Sequence, residues 1–479
     1  MSISKNTAYN IAGALVPMLV ALATIPLYIK EIGEQRYGVL AIFWLLLGYF
    51  GVFDLGLGRA IAQRIAGLPG IANGKKRSEI LWTALSMNLV IGLIGGVLLW
   101  PVSGYLFEHQ FKVDVQIQEE VLRALPWLVL ALPAAIISGV LGGAMQGIEK
   151  FLLLNVTSTM GSVLFQSVPL FVAWIWGSSL SILIPAAIGA RLAATLILFF
   201  ICKKEILNES GATFIAQEAK KLLRFGGWIT ISSFVSPVMV MIDRFITATI
   251  LGPKSVTYYT VPYQLAERTS TLPTAIASAL FPRFASLGNS EATALVESSI
   301  KVLLGITTPI MAMGIVLAKP LLSIWISAEF AIQSFAVAQI LLIGFWINGL
   351  ARVPHAYLQA RGKPNLVAVS HLCEVIPYVL GLYFATKHFG LLGAAFAFSA
   401  RLFFDFILLA HLSKISRSMW KQIILACAFL AGIFVLMKSG VAQEPQGFSI
   451  IAAAVLISSA AWGAFFLKKR FLQLMPKRV

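Results

Sequence analysis

Apolar runs of about twenty residues, divided by short polar connections, follow one another from end to end of this chain. The stretch "YGVLAIFWLLLGYFGVFDLGLG" from Tyr37 to Gly58 carries one charge, Asp54, before Arg59 and Arg64 arrive. As a single helix it would extend about 33 Å at 1.5 Å per residue, enough for a hydrocarbon core of about 30 Å. The same pattern predicts fourteen spans: 8–30, 37–58, 80–101, 121–147, 151–176, 179–202, 224–250, 256–285, 297–325, 331–352, 364–386, 388–413, 420–438 and 448–467. The longest polar gaps, 59–79, 100–120 and 203–223, leave no room for a soluble domain. The pattern therefore predicts an all-α polytopic membrane protein.

Composition agrees. The chain is 58% hydrophobic and 12% charged, with a mean hydropathy of +0.86, where soluble domains carry about 25% charged residues. The first run ends in "IPLYIKEIG" without a small-residue cleavage site, so it is expected to be a span and not a cleavable leader. Cys202, Cys373 and Cys427 lie in or beside apolar runs without the spacing of a metal site or a disulfide framework. Gly56-Leu57-Gly58-Arg59-Ala60-Ile61-Ala62 superficially matches a dinucleotide fingerprint. The run before it is too long for a strand, and no βαβ unit follows.

A net charge of +17 raises the question of nucleic acid, and the distribution of charge argues against it. With the N-terminus placed inside, most Lys and Arg fall in connections on that side, whereas Asp and Glu show no bias. Lys75-Lys76-Arg77, Lys203-Lys204, Lys220-Lys221 and Lys468-Lys469-Arg470 carry the skew. This is the asymmetry that orients membrane helices. Both termini are expected on the cytoplasmic side, in keeping with an even number of spans, and the clusters read first as anchors at the lipid headgroups.

The chain also repeats. Met145–Lys150 ("MQGIEK") matches Leu358–Lys363 ("LQARGK"), and Ala190-Arg191-Leu192 matches Ala400-Arg401-Leu402. Pro17 matches Pro237, and "IGEQRYG" (32–38) matches "LGPKSVTYY" (251–259). All four pairs lie between 210 and 220 residues apart, in the same order. Six spans in each half give both halves the same orientation, related by an axis along the membrane normal. The expected organisation is a six-helix lobe at 1–210, a second at 211–415, and an extra helix pair with a basic tail at 416–479. Two facing bundles suggest a cavity opening alternately to each side. A static anchor is the alternative, and it has little need of buried charge.

Charges inside predicted spans include Asp54, Arg191, Asp243, Arg244, Glu267, Arg268, Glu374, Arg401 and Asp405. A charge at mid-bilayer costs about 2.5–3.5 kcal/mol on insertion scales, so such residues face a cavity or a partner. Arg401 and Asp405 stand i, i+4 and can pair along one helix face. Asp243-Arg244 and Glu267-Arg268 are adjacent, so their side chains are expected to point apart and find other partners. The guanidinium fork suits phosphate or carboxylate, which makes Arg191, Arg244, Arg268 and Arg401 the candidate substrate-binding residues. Asp54, Glu267 and Glu374 are the candidates for gating or for coupling to H⁺ or Na⁺. Asp54 sits near the cytoplasmic end of its span, where Gly56 and Gly58 permit close helix approach or a break. It reads either as a cytoplasmic gate or as a solvated helix end. The prolines within spans, among them Pro126, Pro133 and Pro262, permit breaks that line a cavity or simple kinks.

Residues 6–66, "NTAYNIAGALVPMLVALATIPLYIKEIGEQRYGVLAIFWLLLGYFGVFDLGLGRAIAQRIA", resemble the N-terminal signature of bacterial lipid-linked oligosaccharide flippases of the Wzx type. These belong to the multidrug/oligosaccharidyl-lipid/polysaccharide exporter superfamily. "MQGIEKF", "LQARGKPNL" and "GLLGAAFAFSARL" (390–402) are similar too, so the resemblance covers nearly the whole chain. It implies two six-helix lobes in a V, a lipid diphosphate-linked glycan as substrate, the bacterial inner membrane as location, and polysaccharide polymerases as partners. The family has no universal short motif that would transfer its arginines onto positions here. Physics fits the substrate: a diphosphate needs cations, and a glycan needs hydrogen bonds and aromatic platforms. Tyr9, Tyr258, Tyr259, Tyr263 and Trp228 are candidates for such platforms, or core aromatics. A cation-coupled drug exporter or a cell-wall precursor flippase of the same superfamily is the alternative. A membrane glycosyltransferase or polymerase is a more distant one. His109, His355, His371, His388 and His411 are scattered, no phosphate-binding glycine loop implies ATP, and neither an enzyme nor a cofactor is expected.

Overall fold

The computed structural model describes residues 3–49, 57–68, 70, 73–209 and 211–467. Side chains are described throughout these except at 3–14, 47–49, 59, 209, 223–238, 240, 364, 440 and 443. The described residues form α-helices and contain no strand. In chain order the helices are α1 (Ile3–Tyr49), α2 (Leu57–Ala66), α3 (Gly74–Tyr105), α4 (Val115–Ala124), α5 (Leu128–Gly147), α6 (Phe151–Trp176), α7 (Leu180–Glu205) and α8 (Ala216–Leu251). They continue as α9 (Pro253–Arg268), α10 (Thr271–Ser286), α11 (Asn289–Trp325), α12 (Ala328–Ala360), α13 (Pro364–Leu412), α14 (Arg417–Met437) and α15 (Pro445–Leu467). Ten helical stretches among the described residues are long and apolar enough to cross a membrane. The chain is thus an all-α, multi-pass membrane protein.

Several predicted spans merge or divide for identifiable reasons. The α1 helix runs through the connection expected at 31–36, and α13 runs through position 387. Each is broken at a single glycine, Gly33 (φ 79°, ψ 163°) in α1 and Gly390 (φ 60°, ψ −140°) in α13. A Cβ is strongly disfavoured in the backbone region of Gly33, so the turn there depends on glycine. The expected span 256–285 is two helices, α9 and α10. At their junction Thr269 Oγ1 donates to the Ala266 carbonyl at 2.5 Å, and the Ser270 N–H donates to Glu267 O. Such side-chain bonds compete with helix continuation. A 3₁₀ turn containing Pro126 separates α4 from α5 in the expected span 121–147.

By its internal packing the chain divides into two compact units, Met1–Thr257 and Tyr258–Val479. In the first, α5 packs against α2, α3 and α7, and α6 packs against α1 and α7. The core is Leu57, Ile61 and Ile65 of α2 with Ile80, Leu81, Val140, Leu141, Leu198 and Cys202. A glycine contact sets the approach of α2 to α5: a Cβ at Gly143 would lie 2.0 Å from the Gly58 carbonyl oxygen. The close helix approach expected at Gly58 is therefore made, and Gly56 lies outside the described residues. The first turns of α8 also pack on α2 and α3, and for that reason the packing boundary falls later than the repeat boundary at 210/211. In the second unit, α12 lies against α10, α11 and α13, and the C-terminal helices α14 and α15 pack on α11. Trp346 Nε1 donates to Thr308 Oγ1 at 3.1 Å, and Trp462 Nε1 to the Leu304 carbonyl at 3.1 Å. Both of these indole N–H groups thus have a partner.

Several turns and caps share a sequence separation close to that of the paired motifs. Positive φ occurs at Glu149 and at Gly362, and again at Gly177 and at Gly390, each pair 213 residues apart. The helix N-caps Asp114 and Ser327 share that separation. Gly33 and Gly252 lie 219 apart with nearly the same angles, φ 79° and 86°, ψ 163° and 167°.

Candidate functional site

A cavity of about 650 Å³ opens in the first unit between α2, α5, α6 and α7. One wall of it is nearly bare of side chains, with Gly58, Gly139, Gly142 and Gly143, and Gly161 stands on α6. Hydroxyl and amide groups line the rest: Ser138, Gln146, Thr157, Ser158, Ser162, Gln166 and Thr195. Ser162 Oγ donates to Ser158 O at 2.9 Å, Thr157 Oγ1 to Leu153 O at 2.8 Å and Thr195 Oγ1 to Arg191 O at 2.9 Å. With their hydrogens committed to the backbone, these hydroxyls present lone pairs, which accept from donors such as sugar hydroxyls. Among the described residues no carboxylate lines the cavity.

Among the described residues Arg191 of α7 is the cation that lines the cavity. Its Cζ stands 5.8 Å from the centroid of the Phe165 ring. Among the described residues it makes no ion pair, and its Nε is buried without a hydrogen-bond partner. Gln166 Oε1 is buried and unpartnered too. An unmatched guanidinium beside an aromatic face, in a cavity of ligand size, is equipped to take an anion.

The other predicted arginines stand in different surroundings. Arg244 is buried, 3% exposed, and its Nη1 donates to Asp243 Oδ1 at 2.9 Å and Oδ2 at 3.0 Å. The expectation that these neighbours point apart is corrected: with little water near, the long side chain turns back onto the adjacent carboxylate. Arg401 Nε lies 3.5 Å from Glu374 Oε2 and its Cζ 5.2 Å from the Tyr378 ring centroid, around a cavity of about 300 Å³. The i, i+4 pairing expected between Arg401 and Asp405 gives way to this pair, and Asp405 Oδ1 faces His371 Nε2 at 3.6 Å. The break at Gly390 folds the two segments of α13 against each other, which brings Glu374 to the guanidinium from 27 positions upstream. Glu267 and Arg268 are exposed at the end of α9. Asp54 lies outside the described residues, as do the side chains of Tyr9 and Trp228. Tyr258, Tyr259 and Tyr263 are buried, with Tyr258 against Phe330 and Tyr263 against Phe345 and Phe398.

Beyond the spans, Glu218 at the start of α8 pairs with Arg64 of α2 and, at 2.8 Å, with Lys221. Burial alone would raise its pKa, but the hydrogen bonds and charges of Lys221 and Arg64 outweigh that and hold the carboxyl below the usual carboxylate range.

The family model described as "Polysaccharide biosynthesis protein" matches residues 3–288. A Shigella flexneri protein named "Putative O-antigen transporter" is 31% identical over 413 residues, covering 86% of this chain and 98% of its own. The chain belongs to the polysaccharide biosynthesis protein family. Solved structures extend the likeness of this family member to the fold. The lipid II flippase MurJ, in an inward closed conformation, superposes with a TM-score of 0.74 at 14% identity, covering 96% of this chain and 99% of that one. An inward-facing multidrug resistance transporter of the MATE family and MOP superfamily gives 0.67 at 13% identity, covering 88% and 98%.

Sequence reading of this family member named Arg191 as a candidate and missed its surroundings. Ser158, Ser162, Phe165 and Gln166 recur at helical spacing along α6, a polar stripe in an apolar helix that carries the signal in hindsight. His355 and His371, scattered in sequence, stack with ring centroids 6.2 Å apart.

Proposed function

We propose that this polysaccharide biosynthesis protein is a flippase for undecaprenyl-diphosphate-linked oligosaccharide repeat units. It moves them from the cytoplasmic to the outer leaflet of the inner membrane by alternating access, with both termini cytoplasmic. One observation carries the reading: Arg191, unmatched by any carboxylate among the described residues, stands over Phe165 in a large cavity of hydroxyls and glycines that no described carboxylate lines. The guanidinium takes diphosphate oxygens, the hydroxyl and amide groups take the glycan, and the ring offers a sugar face its stacking surface. A carrier of cationic drugs needs acids, and among the described residues none lines this cavity. The O-antigen transport named for the Shigella relative is of the same kind.

In this reading Arg191 is the principal anion contact, and the exposed Arg268 is a second. Arg244 and Arg401 are each committed to a carboxylate and serve chiefly to neutralise it. Asp54 and Glu267 are assigned to gating, and Glu374 to ion coupling. A polysaccharide polymerase is the expected downstream partner.

The test is made in cells lacking the protein, by measuring surface polysaccharide and lipid-linked repeat units together. Loss of the first with inner-leaflet build-up of the second, reversed by the wild-type chain but not by Arg191→Gln, is the expected result. Unchanged polysaccharide with heightened sensitivity to cationic drugs would replace this reading with the exporter one.

A further inference from the structure

The 213-residue register makes each unit a template for the other. It carries Glu149 onto Gly362 and Gly177 onto Gly390, all at positive φ, and the N-cap Asp114 onto the N-cap Ser327. The same shift carries Gly142 onto His355, Ser158 onto His371, Gly161 onto Glu374 and Phe165 onto Tyr378. Three small wall residues of the Arg191 cavity are therefore two imidazoles and a carboxylate in the second unit. The aromatic platform is kept in both: Arg191 lies 5.8 Å from Phe165, and Arg401, entering one helical turn earlier, lies 5.2 Å from Tyr378. The second cavity is about 300 Å³ against about 650 Å³, and of the three replacements Glu374 lines it.

Beside it, sharing Glu374 and Arg401 with its wall, stands a charged cluster with an odd count. Glu374 meets Arg401 at 3.5 Å, Asp405 meets His371 at 3.6 Å, and the Glu374 and Asp405 side chains interact with each other. From α12, His355 stacks on His371, and the exposed Arg352 acts on His355 from its own helix. Glu374 Oε1, Asp405 Oδ1 and Arg401 Nη1 are buried with no hydrogen-bond partner among the described residues. Two ionised carboxylates have no hydrogen to share. With the imidazoles neutral, two carboxylates and one guanidinium leave one uncancelled negative charge in a membrane-embedded cluster. Such a charge is costly, and a single proton removes it while supplying the missing hydrogen bond.

We infer that Glu374, Asp405 and His371 form a binding site for one exchangeable proton, poised by Arg401. His355 links it to a separate cavity of about 340 Å³ that His355, Arg352 and Gln359 line. The duplicated wall that leaves room for a ligand in the first unit carries the exchangeable proton in the second. This assignment rests on Glu374 as the coupling residue and is independent of what is transported.

The experiment is substrate-free, so its failure is distinct from failure of the flippase reading. The purified full chain in lipid nanodiscs is stepped between about pH 8 and about pH 5, the range in which such clusters exchange protons. Proton uptake is counted with an indicator dye, and the carboxylic acid C=O stretch is followed by infrared difference spectroscopy. Wild type should take up one proton more than either Glu374→Gln or Asp405→Asn, because Arg401 neutralises whichever acid remains. Arg401→Gln should move the other way and take up one more than wild type. That opposite sign keeps the test decisive even if one acid variant fails to fold, which size-exclusion profiles will reveal. Equal uptake by wild type and the folded variants would overturn the site. So would displacement of the proton by Na⁺ at fixed pH, which would make it a sodium site.

Discussion

Replacing arginine by glutamine at 191 and at 244 removes the same charge from two surroundings that the structure makes different. Arg244 and Asp243 are 3% and 0% exposed and joined by two contacts of 2.9 and 3.0 Å. Removing the guanidinium strips that counter-charge from a carboxylate buried in the first unit. Breaking a buried pair in this way costs about 3–5 kcal/mol, a large share of the roughly 5–15 kcal/mol that holds a protein folded. Among the described residues Arg191 has no carboxylate to abandon. Its loss forfeits a contact with Phe165 worth about 0.5–2 kcal/mol, offset by relief of the buried, unpartnered Nε. The fold should therefore tolerate Arg191→Gln, whereas the anion should not. Charge-assisted hydrogen bonds are worth about 1.5–3 kcal/mol, roughly a tenfold to 150-fold loss of affinity. Arg191→Lys keeps the charge without the fork and should fall between. The assay pairs immunoblotting of the membrane fraction and thermal melting of the purified chain with surface polysaccharide in a deletion strain. Arg244→Gln is expected to be scarce and to melt early. Arg191→Gln is expected to be abundant and inactive. An Arg244→Gln protein as stable as wild type, or an Arg191→Gln protein that fails to accumulate, would refute the distinction drawn between the two sites.

Gly143→Ala should lower the melting temperature, since its Cβ would meet the Gly58 carbonyl at 2.0 Å and force α2 from α5, an overpacking cost of about 1–3 kcal/mol. Gly142→Ala, whose Cβ would make an ordinary 3.5 Å contact with Leu154, should melt close to wild type, and equal losses in the two variants would sink the packing argument. Glu218 has a depressed folded-state pKa, so its contribution to stability is present above the roughly 4.3 of a free glutamate and is lost as pH falls through the folded value. Melting curves across this acid range should show a steeper decline for wild type than for Glu218→Gln, and parallel curves would contradict the pairing with Arg64 and Lys221.

The membrane class and many of the apolar segments were legible in the sequence because each rests on a local rule. An apolar run of some twenty residues cannot be left in water, and a charge within it must find a partner. The same rules singled out Arg191, Arg244, Glu374 and Arg401, which stand buried or half-buried, and Glu267 and Arg268, which are exposed. Which partner each takes was decided by packing. Spacing alone favoured Arg401 with Asp405 and set Arg244 apart from Asp243, but the fold at Gly390 brings Glu374 to Arg401, and Arg244 turns back on its neighbour. Phe165 beneath Arg191 and His355 against His371 come from separate helices or separate turns, and no local rule joins them. Burial is a property of a segment and can be read along the chain. Charge pairing is a property of the few ångströms around an atom, and only the packed helices determine what stands there.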